Sequence, residues 1–308
     1  MFPFWNSFQP EISDLVVQHD PQTLKRLPVN KKEILRIFED YSNKKAARVI
    51  ERLPAINGIL DPIAVDRTML AVHWEMQRLA EEFYHGSRVY KILRAIVAVL
   101  RSSGFAGAIR IVDVGCGIGY TIRWLAAHTS FPEEGVELTG VDLNATLAKE
   151  ANRLAKAESL PCRFFHGDAF SVDLAGQIYI STGVLHHFRG DDLCEFLGSH
   201  DRPATQAFVH YDFQPWLLAP FGSWFFHVIR MRTGIARHDG VISTARAYDA
   251  KSLVSAAHKA VPNLASGIYG GKIWNTPAPR VFHALVGFRR ELVPGLKKTL
   301  GSSLGELQ

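Results

Sequence analysis

Apolar and polar positions follow a helical period over the first part of the chain. Apolar residues three and four apart, the spacing of one helical face, occur in "NKKEILRIFEDY" (30–41) and "NKKAARVIERL" (43–53). Each segment opens with an asparagine, a residue type that caps helix N-termini. Two longer helical patterns cover about 66–84 and about 88–102. The pattern therefore predicts a helical N-terminal cap over residues 1–87.

After this cap, short apolar runs alternate with helical patterns. The clearest helical pattern is "NATLAKEANRLAKAES" (144–159), which places Leu147, Ala151 and Leu154 on one face, and another covers about 249–260. Strands that alternate with helices are typical of a parallel sheet with helices on both faces, which is an α/β fold. The runs that predict strands are 109–114, 138–142, 162–166, 177–182, 206–212, 266–270 and 281–288.

The first predicted strand ends in a glycine-rich turn, "IVDVGCGIGY" (111–120). Such turns bring the backbone close to a cofactor.

Two known glycine motifs do not match this turn. A P-loop, which binds a nucleoside triphosphate, needs four residues between its glycines and a Lys-Ser/Thr pair behind them, and this turn has neither. A dinucleotide fingerprint needs a third glycine where this chain has Tyr120. The spacing is instead Asp-x-Gly-x-Gly-x-Gly, from Asp113 to Gly119.

Three polar segments follow the next predicted strands in chain order: "LTGVDLN" (138–144), "FFHGDAF" (164–170) and "ISTGVLHHF" (180–188). Together with the glycine turn, they resemble the motifs of class I S-adenosylmethionine-dependent methyltransferases that act on oxygen or carbon of small molecules. The resemblance covers about residues 88–215 and the closing strands. It implies a Rossmann-like, seven-stranded methyltransferase sheet over residues 88–308 and S-adenosylmethionine as the cofactor.

The resemblance also implies roles for single residues at a cofactor site. Asp113 would hold the cationic amino group of S-adenosylmethionine, Asp142 its ribose hydroxyls and Asp168 its adenine. From the helical region, Tyr84 or Arg88 would contact its carboxylate. The full set of implied cofactor-binding residues is Asp113, Gly115, Cys116, Gly117, Gly119, Asp142, Leu143, Asp168, Ala169, Ser181, Thr182, Tyr84 and Arg88.

The loop after the fourth predicted strand bears on the reaction. Enzymes that methylate amino groups of bases or glutamine carry Asn/Asp-Pro-Pro-Tyr/Phe there, whereas this chain reads "STGVLHHF" (181–188), which favours an oxygen or carbon acceptor. By the resemblance, Ser181 and Thr182 would lie along the methionine chain of the cofactor. His186 or His187 could act as a base because imidazole titrates near neutrality, or could instead cap the next helix.

Asp212 and His210 lie in "FVHYDF", at the end of the fifth predicted strand, where ligands bind in such sheets. Asp212 could orient an acceptor or could cap the segment that follows. The sequence shows no metal-ligand spacing, and methyl transfer needs no metal, so no metal is expected.

The most unusual segment is an aromatic insertion at about 214–240. Five aromatic residues lie between 216 and 226, and Arg230, Arg232 and Arg237 follow them. The segment could be a lid that forms an apolar acceptor pocket, or an amphipathic edge that makes peripheral contact with a membrane. It could equally be an extra helix that packs on the core or forms a homodimer contact.

Composition indicates the cellular compartment and limits the kinds of binding partner. The chain has 308 residues, of which 47% are apolar, and a formal net charge of +5. Because its Lys and Arg residues are scattered, a nucleic-acid partner is not expected. The cysteines Cys116, Cys162 and Cys194 form no CxxC pair and favour a reducing compartment. No signal peptide or bilayer-spanning segment is recognisable, so a cytoplasmic protein is predicted.

These observations predict an enzyme that transfers a methyl group from S-adenosylmethionine to oxygen or carbon of a small, largely apolar acceptor of aromatic, quinone-like or lipid-like type. Two alternatives stay open at this point. One is a methyltransferase that acts on RNA or protein, and the other is a module that binds the cofactor without turnover.

Overall fold

The computed structural model describes residues 9–170, 174–216, 218–270 and 281–307. The chain divides into two compact units. The helical unit consists of Met1–Leu79 and Pro215–Ala247, and the sheet unit consists of Ala80–Gln214 and Tyr248–Gln308. Residues 1–8, with which the predicted N-terminal cap begins, lie outside the described residues.

The helices and strands are numbered in chain order. The helices are α1 (Ile12–Val16), α2 (Lys31–Asp40), α3 (Lys44–Glu51), α4 (Pro62–Glu82), α5 (His85–Ser102), α6 (Tyr120–His128), α7 (Ala145–Ala157), α8 (Asp191–Gly198), α9 (Ala219–Arg230), α10 (Gly234–Arg246), α11 (Ala250–Ala260) and α12 (Val293–Leu300). The strands are β1 (Ala55–Ile56), β2 (Ile59–Leu60), β3 (Ile109–Val114), β4 (Val136–Asp142), β5 (Cys162–His166), β6 (Ile178–Thr182), β7 (Ala207–Phe213), β8 (Leu264–Tyr269) and β9 (Phe282–Arg289).

Strands β3 to β9 form one sheet of seven strands, as the sequence predicts. Their order is β5-β4-β3-β6-β7-β9-β8. The first five of these are parallel, whereas β9 runs antiparallel to both β7 and β8. The chain order therefore reverses beside β3, and the carboxyl ends of strands flanking such a reversal are where α/β sheets bind ligands.

The central strand β3 is buried on both faces, which explains its run of β-branched residues. Ile109 and Ile111 belong to an apolar cluster that includes side chains of α5, α6, α7 and α12. Val112 and Val114 belong to the opposite cluster, to which α8 and α11 contribute. The predicted α/β fold with helices on both faces is thus confirmed.

Local helix signals in the sequence are confirmed where they can be checked. The Asn30 side chain accepts a hydrogen bond from the backbone N–H of Lys32 at the start of α2. The Asn43 side chain does the same for Ala46 at 3.0 Å, at the start of α3. In α7, the face predicted to be apolar is buried.

The aromatic insertion lies in the helical unit. Residues 215–247 form α9 and α10 and belong to the same compact unit as the N-terminal helices. The Asp239 carboxylate of α10 accepts hydrogen bonds from the backbone N–H groups of Ile12 and Ser13, at 2.8 and 2.9 Å. Glu75 of α4 accepts hydrogen bonds from the backbone N–H groups of Arg232 and Thr233.

Apolar packing supports the same division. Met231, Ile235 and Ala236 share one buried cluster with Ile12 and Phe38. At the other boundary, residues 80–87 of the predicted cap belong to the sheet unit. In the described part of the chain, no helix has both the length and the hydropathy to span a membrane.

Candidate functional site

The turn after β3 can be made only with glycine at several positions. Gly115, Gly117 and Gly119 have φ angles of +72°, +55° and +76°, which side-chain-bearing residues rarely adopt. A Cβ atom on Gly119 would lie 2.3 Å from Cε1 of Phe164, and one on Gly115 would lie 2.9 Å from Cγ2 of Val184. The turn is therefore pressed between β5 and the loop after β6.

Asp142, at the end of β4, is joined to the same turn. One oxygen of its carboxylate accepts a hydrogen bond from the backbone N–H of Gly117 at 2.7 Å, and the other accepts from that of Asn144 at 2.8 Å. Asn144 in turn caps α7 through its side chain. The carboxylate is thus fixed at the switch point of the sheet and remains partly accessible.

Asp113, at the carboxyl end of β3, is buried with its Oδ1 atom lacking a hydrogen-bond partner among the described residues. Burial, together with the nearby Asp142 carboxylate, raises the pKa of Asp113 well above its usual range. Burial also raises the pKa of the Cys116 thiol, and the charges of Asp142 and Asp113 raise it further. A cationic group beside Asp113 would relieve this cost, because it would pair the carboxylate.

The predicted adenine residues follow β5. The Asp168 carboxylate accepts a hydrogen bond from the backbone N–H of Phe170 at 3.1 Å, and Ala169 packs against the cluster on the α8 face of the sheet. Leu143, next to the Asp142 carboxylate, exposes 39% of its surface. Asp168 and Leu143 are thus left accessible at the carboxyl ends of β5 and β4.

Ser181, which the resemblance places along the methionine chain, is buried between two strands of the sheet. Its hydroxyl contacts Nδ1 of His210 at 2.9 Å, and both residues are buried. The reason is the register of the sheet, since Ser181 of β6 is directly paired with His210 of β7 and their side chains share one face. The neighbouring Thr182 hydroxyl instead lies 3.4 Å from that of Thr121 in α6.

The structure joins two predicted catalytic residues into a buried pair. Nδ1 of His186 lies 2.8 Å from Oδ1 of Asp212, and the carboxylate also accepts a hydrogen bond from the His186 backbone N–H. Burial opposes ionisation of Asp212, yet the charge and hydrogen bonds of His186, with the backbone N–H of Phe213, hold its pKa below the usual value. His187 is half-buried, with its ring centroid 4.4 Å from that of His186.

The Asp212 carboxylate fixes the orientation of the His186 ring through the Nδ1 atom. This is the arrangement that a general base requires. Asp212 therefore positions the imidazole, which differs from the two roles considered for it from sequence. Val184, two residues before His186, is the side chain that contacts Gly115.

Tyr84 and Arg88, the predicted carboxylate contacts, are both exposed. Between them, His85 is buried, with its ring centroid 5.2 Å from that of Tyr211 and 4.6 Å from that of Phe282. Its Nε2 atom has no hydrogen-bond partner in the described part of the chain. Burial, assisted by the charge of Arg88, lowers the pKa of His85 to about 4.

Sequence reasoning missed His85 because it selected the longer polar side chains on either side. The following Gly86 is a signal in the sequence that this part of α5 packs closely against another element. Glycine is otherwise unfavourable inside a helix. A Cβ atom there would lie 2.3 Å from Cδ2 of Trp124, so α5 and α6 approach closely at this point.

This fold defines a Rossmann-like domain with a candidate ligand site at the switch point of its sheet. Residues 111–202 match a family model described as a methyltransferase domain. This part of the chain is thus a methyltransferase domain of the S-adenosylmethionine-dependent class, and S-adenosylmethionine is its cofactor.

Individual proteins show the extent of the similarity. A chloroplastic tocopherol O-methyltransferase from Arabidopsis thaliana is 47% identical over 51 residues, which are 17% of this chain and 13% of that protein. The match thus spans a small part of this curated relative's length.

Among solved structures, magnesium protoporphyrin IX methyltransferase from Synechocystis with bound SAH is 14% identical, covering 84% of this chain and 99% of that one with a TM-score of 0.41. The plantazolicin methyltransferase BamL, in complex with a triazolic desmethylPZN analog and SAH, is 12% identical, covering 72% and 96% with a TM-score of 0.48.

Proposed function

We propose that this protein transfers the methyl group of S-adenosylmethionine to an oxygen or carbon atom of a small, largely apolar acceptor. The observation that carries the proposal is the buried pair formed by Asp212 of β7 and His186, which lies in the same loop as Val184 beside the glycine turn. A base is needed where the attacking group is a hydroxyl or an acidic carbon, and this pair can supply one.

The residues present fit S-adenosylmethionine. Asp113 has a buried oxygen without a hydrogen-bond partner among the described residues, which suits the cofactor's ammonium group, directly or through a water molecule. The turn leaves no room for a Cβ atom at Gly115 or Gly119. Its backbone would lie beneath the ribose. Asp142 would accept hydrogen bonds from the ribose hydroxyls, and Asp168 with the Ala169 N–H would contact the adenine. Each charge-assisted bond is worth roughly 1.5–3 kcal/mol.

When bound, the cofactor supplies a methyl group on a positively charged sulfur, which is open to in-line attack. The chain must then hold the acceptor, exclude water and take up a proton. We propose that the His186 imidazole takes up the proton of the acceptor as the new bond to the methyl carbon forms. Asp212 would stabilise the resulting imidazolium through Nδ1, as the orienting carboxylate does in a catalytic triad.

An aromatic cluster beside this pair supports a flat, apolar acceptor. Tyr211 and Phe213 of β7 lie with their ring centroids 5.4 and 5.0 Å from that of Phe282 in β9. The Phe213 ring is also 5.6 Å from that of His186. An acceptor that meets the partly buried Phe213 ring would gain offset or edge contacts, which favour an aromatic or quinone-like molecule. Cytoplasmic location stays a prediction from the sequence.

The test combines binding with turnover. Calorimetric titration should show binding of S-adenosylmethionine and of its demethylated product, and no binding of NAD. Mass spectrometry should then detect a product heavier by one methyl group among phenols and quinols. Binding of NAD instead would overturn the cofactor. Methylation of RNA or protein would overturn the proposed small-molecule acceptor. Cofactor binding without any turnover would overturn the proposed enzymatic activity.

A further inference from the structure

His85, the first residue of α5, is held inside the sheet unit by a strained and closely packed stretch of backbone. Tyr84, directly before it, has a φ of +56° and a ψ of +37°, a left-handed conformation that costs free energy in a residue with a side chain. Gly86, directly after it, lies so close to Trp124 of α6 that no Cβ atom fits there. The backbone on either side therefore holds the start of α5 with the His85 ring buried.

The burial of this imidazole has a cost that an apolar side chain would not have. Among the described residues, nothing forms a hydrogen bond with Nε2 of His85. Burial is the main cause that lowers the pKa of His85 to about 4, so its ring is neutral at neutral pH. A phenylalanine would pack against Phe83, Tyr211 and Phe282 without leaving a polar nitrogen buried. A buried polar group of this kind is expected to have a partner, and a bound ligand can supply one.

His85 lies at the edge of the sheet where ligands bind. Its ring centroid is 5.2 Å from that of Tyr211, near the carboxyl end of β7. It is 4.6 Å from that of Phe282, with which the antiparallel strand β9 begins. Both rings therefore lie at the carboxyl edge of the parallel strands, which is the ligand edge of α/β sheets.

A series of ring contacts joins His85 to the proposed base. The Phe282 ring contacts His85, the Phe213 ring lies 5.0 Å from that of Phe282, and the His186 ring lies 5.6 Å from that of Phe213. Asp212 is paired with His186. Burial lowers the pKa of His85, and the charge of the same Asp212 acts against this effect. His85 and His186 therefore belong to one site.

A second histidine of the sheet unit shows that burial alone does not make such a site. Nε2 of His200 also lacks a hydrogen-bond partner in the described part of the chain, and burial lowers the pKa of His200 to about 4 as well. Its ring, however, contacts those of Tyr179 and Phe208, near the amino ends of β6 and β7. Because this edge is opposite to the ligand edge, His200 is a matched control for His85.

We propose that Nε2 of His85 forms a hydrogen bond with a hydroxyl group of the methyl acceptor, and that the acceptor is an aromatic ring with two hydroxyl groups, one at each of the two histidines. This inference rests on the proposed methyl transfer, in which His186 takes up the proton of the hydroxyl that is methylated. A hydroxyl fits either tautomer of a neutral imidazole, because it both donates and accepts. The cofactor carboxylate is a poorer partner, because it favours a charged donor and the lowered pKa of His85 keeps this ring neutral.

The binding test needs no turnover. The full-length protein carries nitrogen-15 in its histidines, and its spectra are recorded in the presence of S-adenosylhomocysteine with hydroquinone, catechol or toluene. Comparison with His85→Phe and His85→Gln identifies the His85 signals. A dihydroxy ring should shift the Nε2 signal of His85, and toluene, which has no hydroxyl group, should leave it in place. An equal shift with toluene, or no shift with any of the three, would overturn the proposal.

Kinetics separate binding of the acceptor from the chemical step. His85→Phe should raise the KM of the dihydroxy acceptor by about 10-fold, because its second hydroxyl is then buried without a partner. The kcat should change by less than about threefold, since the base stays in place, and so should the KM of phenol. His85→Gln, which keeps a side-chain hydrogen-bonding group, should restore most of the affinity. The control His200→Phe should leave both constants unchanged.

Cofactor binding tests a second role for His85. A loss of affinity for S-adenosylmethionine in His85→Phe, with an unchanged KM of the dihydroxy acceptor, would overturn the proposal and assign His85 to the cofactor. Absence of methylation of every ring compound by the wild type would instead overturn the proposed function, and a shift of the His85 signal by hydroquinone would still support its role in binding. Circular dichroism checks that each variant is folded.

Discussion

The carboxylate of Asp142 accepts a hydrogen bond from the backbone N–H of Gly117, at 2.7 Å. This bond joins the ends of β4 and β3, and both residues belong to the predicted cofactor site. The Asp142 side chain is therefore held in place by the protein before any ribose hydroxyl reaches it. Pre-organisation of this kind reduces the entropy that binding would otherwise cost.

Asp142→Ala is expected to weaken S-adenosylmethionine binding by about 2 kcal/mol, or roughly 30-fold, because it removes charge-assisted bonds and frees the glycine turn. Isothermal titration calorimetry measures the change. Glu137→Ala on the same strand is the control, since that side chain is half-exposed and forms an ion pair with Arg110. An unchanged affinity in Asp142→Ala would remove this residue from the ribose site.

Binding of S-adenosylmethionine is expected to strengthen as the pH rises. The pKa of Asp113 is raised well above its usual range in the free protein, by burial first and by Asp142 second. A cationic ligand favours the ionised carboxylate, so binding releases a proton while the pH lies below that raised pKa. In this range the affinity should rise by up to about tenfold per pH unit.

Calorimetry in two buffers of different ionisation enthalpy measures the released proton. Asp113→Asn should abolish both the proton release and this part of the pH dependence, because the asparagine side chain carries no ionisable group. Proton release that persists in the variant would place the titrating group elsewhere.

His186→Ala is expected to lower kcat by about 100-fold or more, because the base is lost. Asp212→Asn should also lower kcat and shift the acidic limb of the pH–rate profile, while leaving cofactor affinity nearly unchanged. His187→Ala should have a smaller effect, since Asp212 is paired with His186. The control is Asp191→Asn, a fully exposed carboxylate of the same unit.

If His187→Ala proved the slower variant and His186→Ala kept a near-normal rate, the roles of the two histidines would be reversed. Near-normal rates in both would show that orientation of the acceptor is enough for turnover.

Gly119→Ala tests the glycine turn through stability. The new Cβ atom would meet the Phe164 ring at 2.3 Å, in addition to the strain of a φ angle of +76°. Gly104→Ala is the matched control, because its φ is +90° and nothing lies within 4 Å of the added atom. The control should cost about 1 kcal/mol from backbone strain, and Gly119→Ala about 3 kcal/mol in total. Equal changes in denaturant midpoint would contradict the close contact.

Acid should destabilise the protein through its buried histidines. Burial lowers the pKa of His200 to about 4 in the folded state, against 6.5 for an ordinary histidine. The unfolded chain therefore binds the extra proton first, and stability is lost as the pH falls from 6.5 towards 4. The contribution of this group reaches roughly 3 kcal/mol at pH 4.

Urea unfolding between pH 4 and 7 measures this loss. Replacement of the buried side chain in His200→Phe should remove its share of the slope, about 1.4 kcal/mol per pH unit. His258→Ala, at an exposed position of α11, should leave the slope unchanged. A slope in His200→Phe equal to that of the wild type would contradict the assignment.

Local patterns in the sequence were enough to place the seven strands of the sheet and the capped helices. The reason is that hydrophobic period, asparagine caps and glycine turns act between residues close in the chain. The turn from Asp113 to Gly119 is predictable for the same reason. Its positive φ angles favour glycine, whatever the rest of the chain does.

Tertiary structure alone decided which distant side chains meet. His186 pairs with Asp212, 26 residues away, and Asp239 binds the backbone of Ile12, 227 residues away. These contacts follow from the order and register of the strands and from how the helices pack. Neither is contained in local propensity, because pairing across elements depends on which surfaces are buried together in the folded chain.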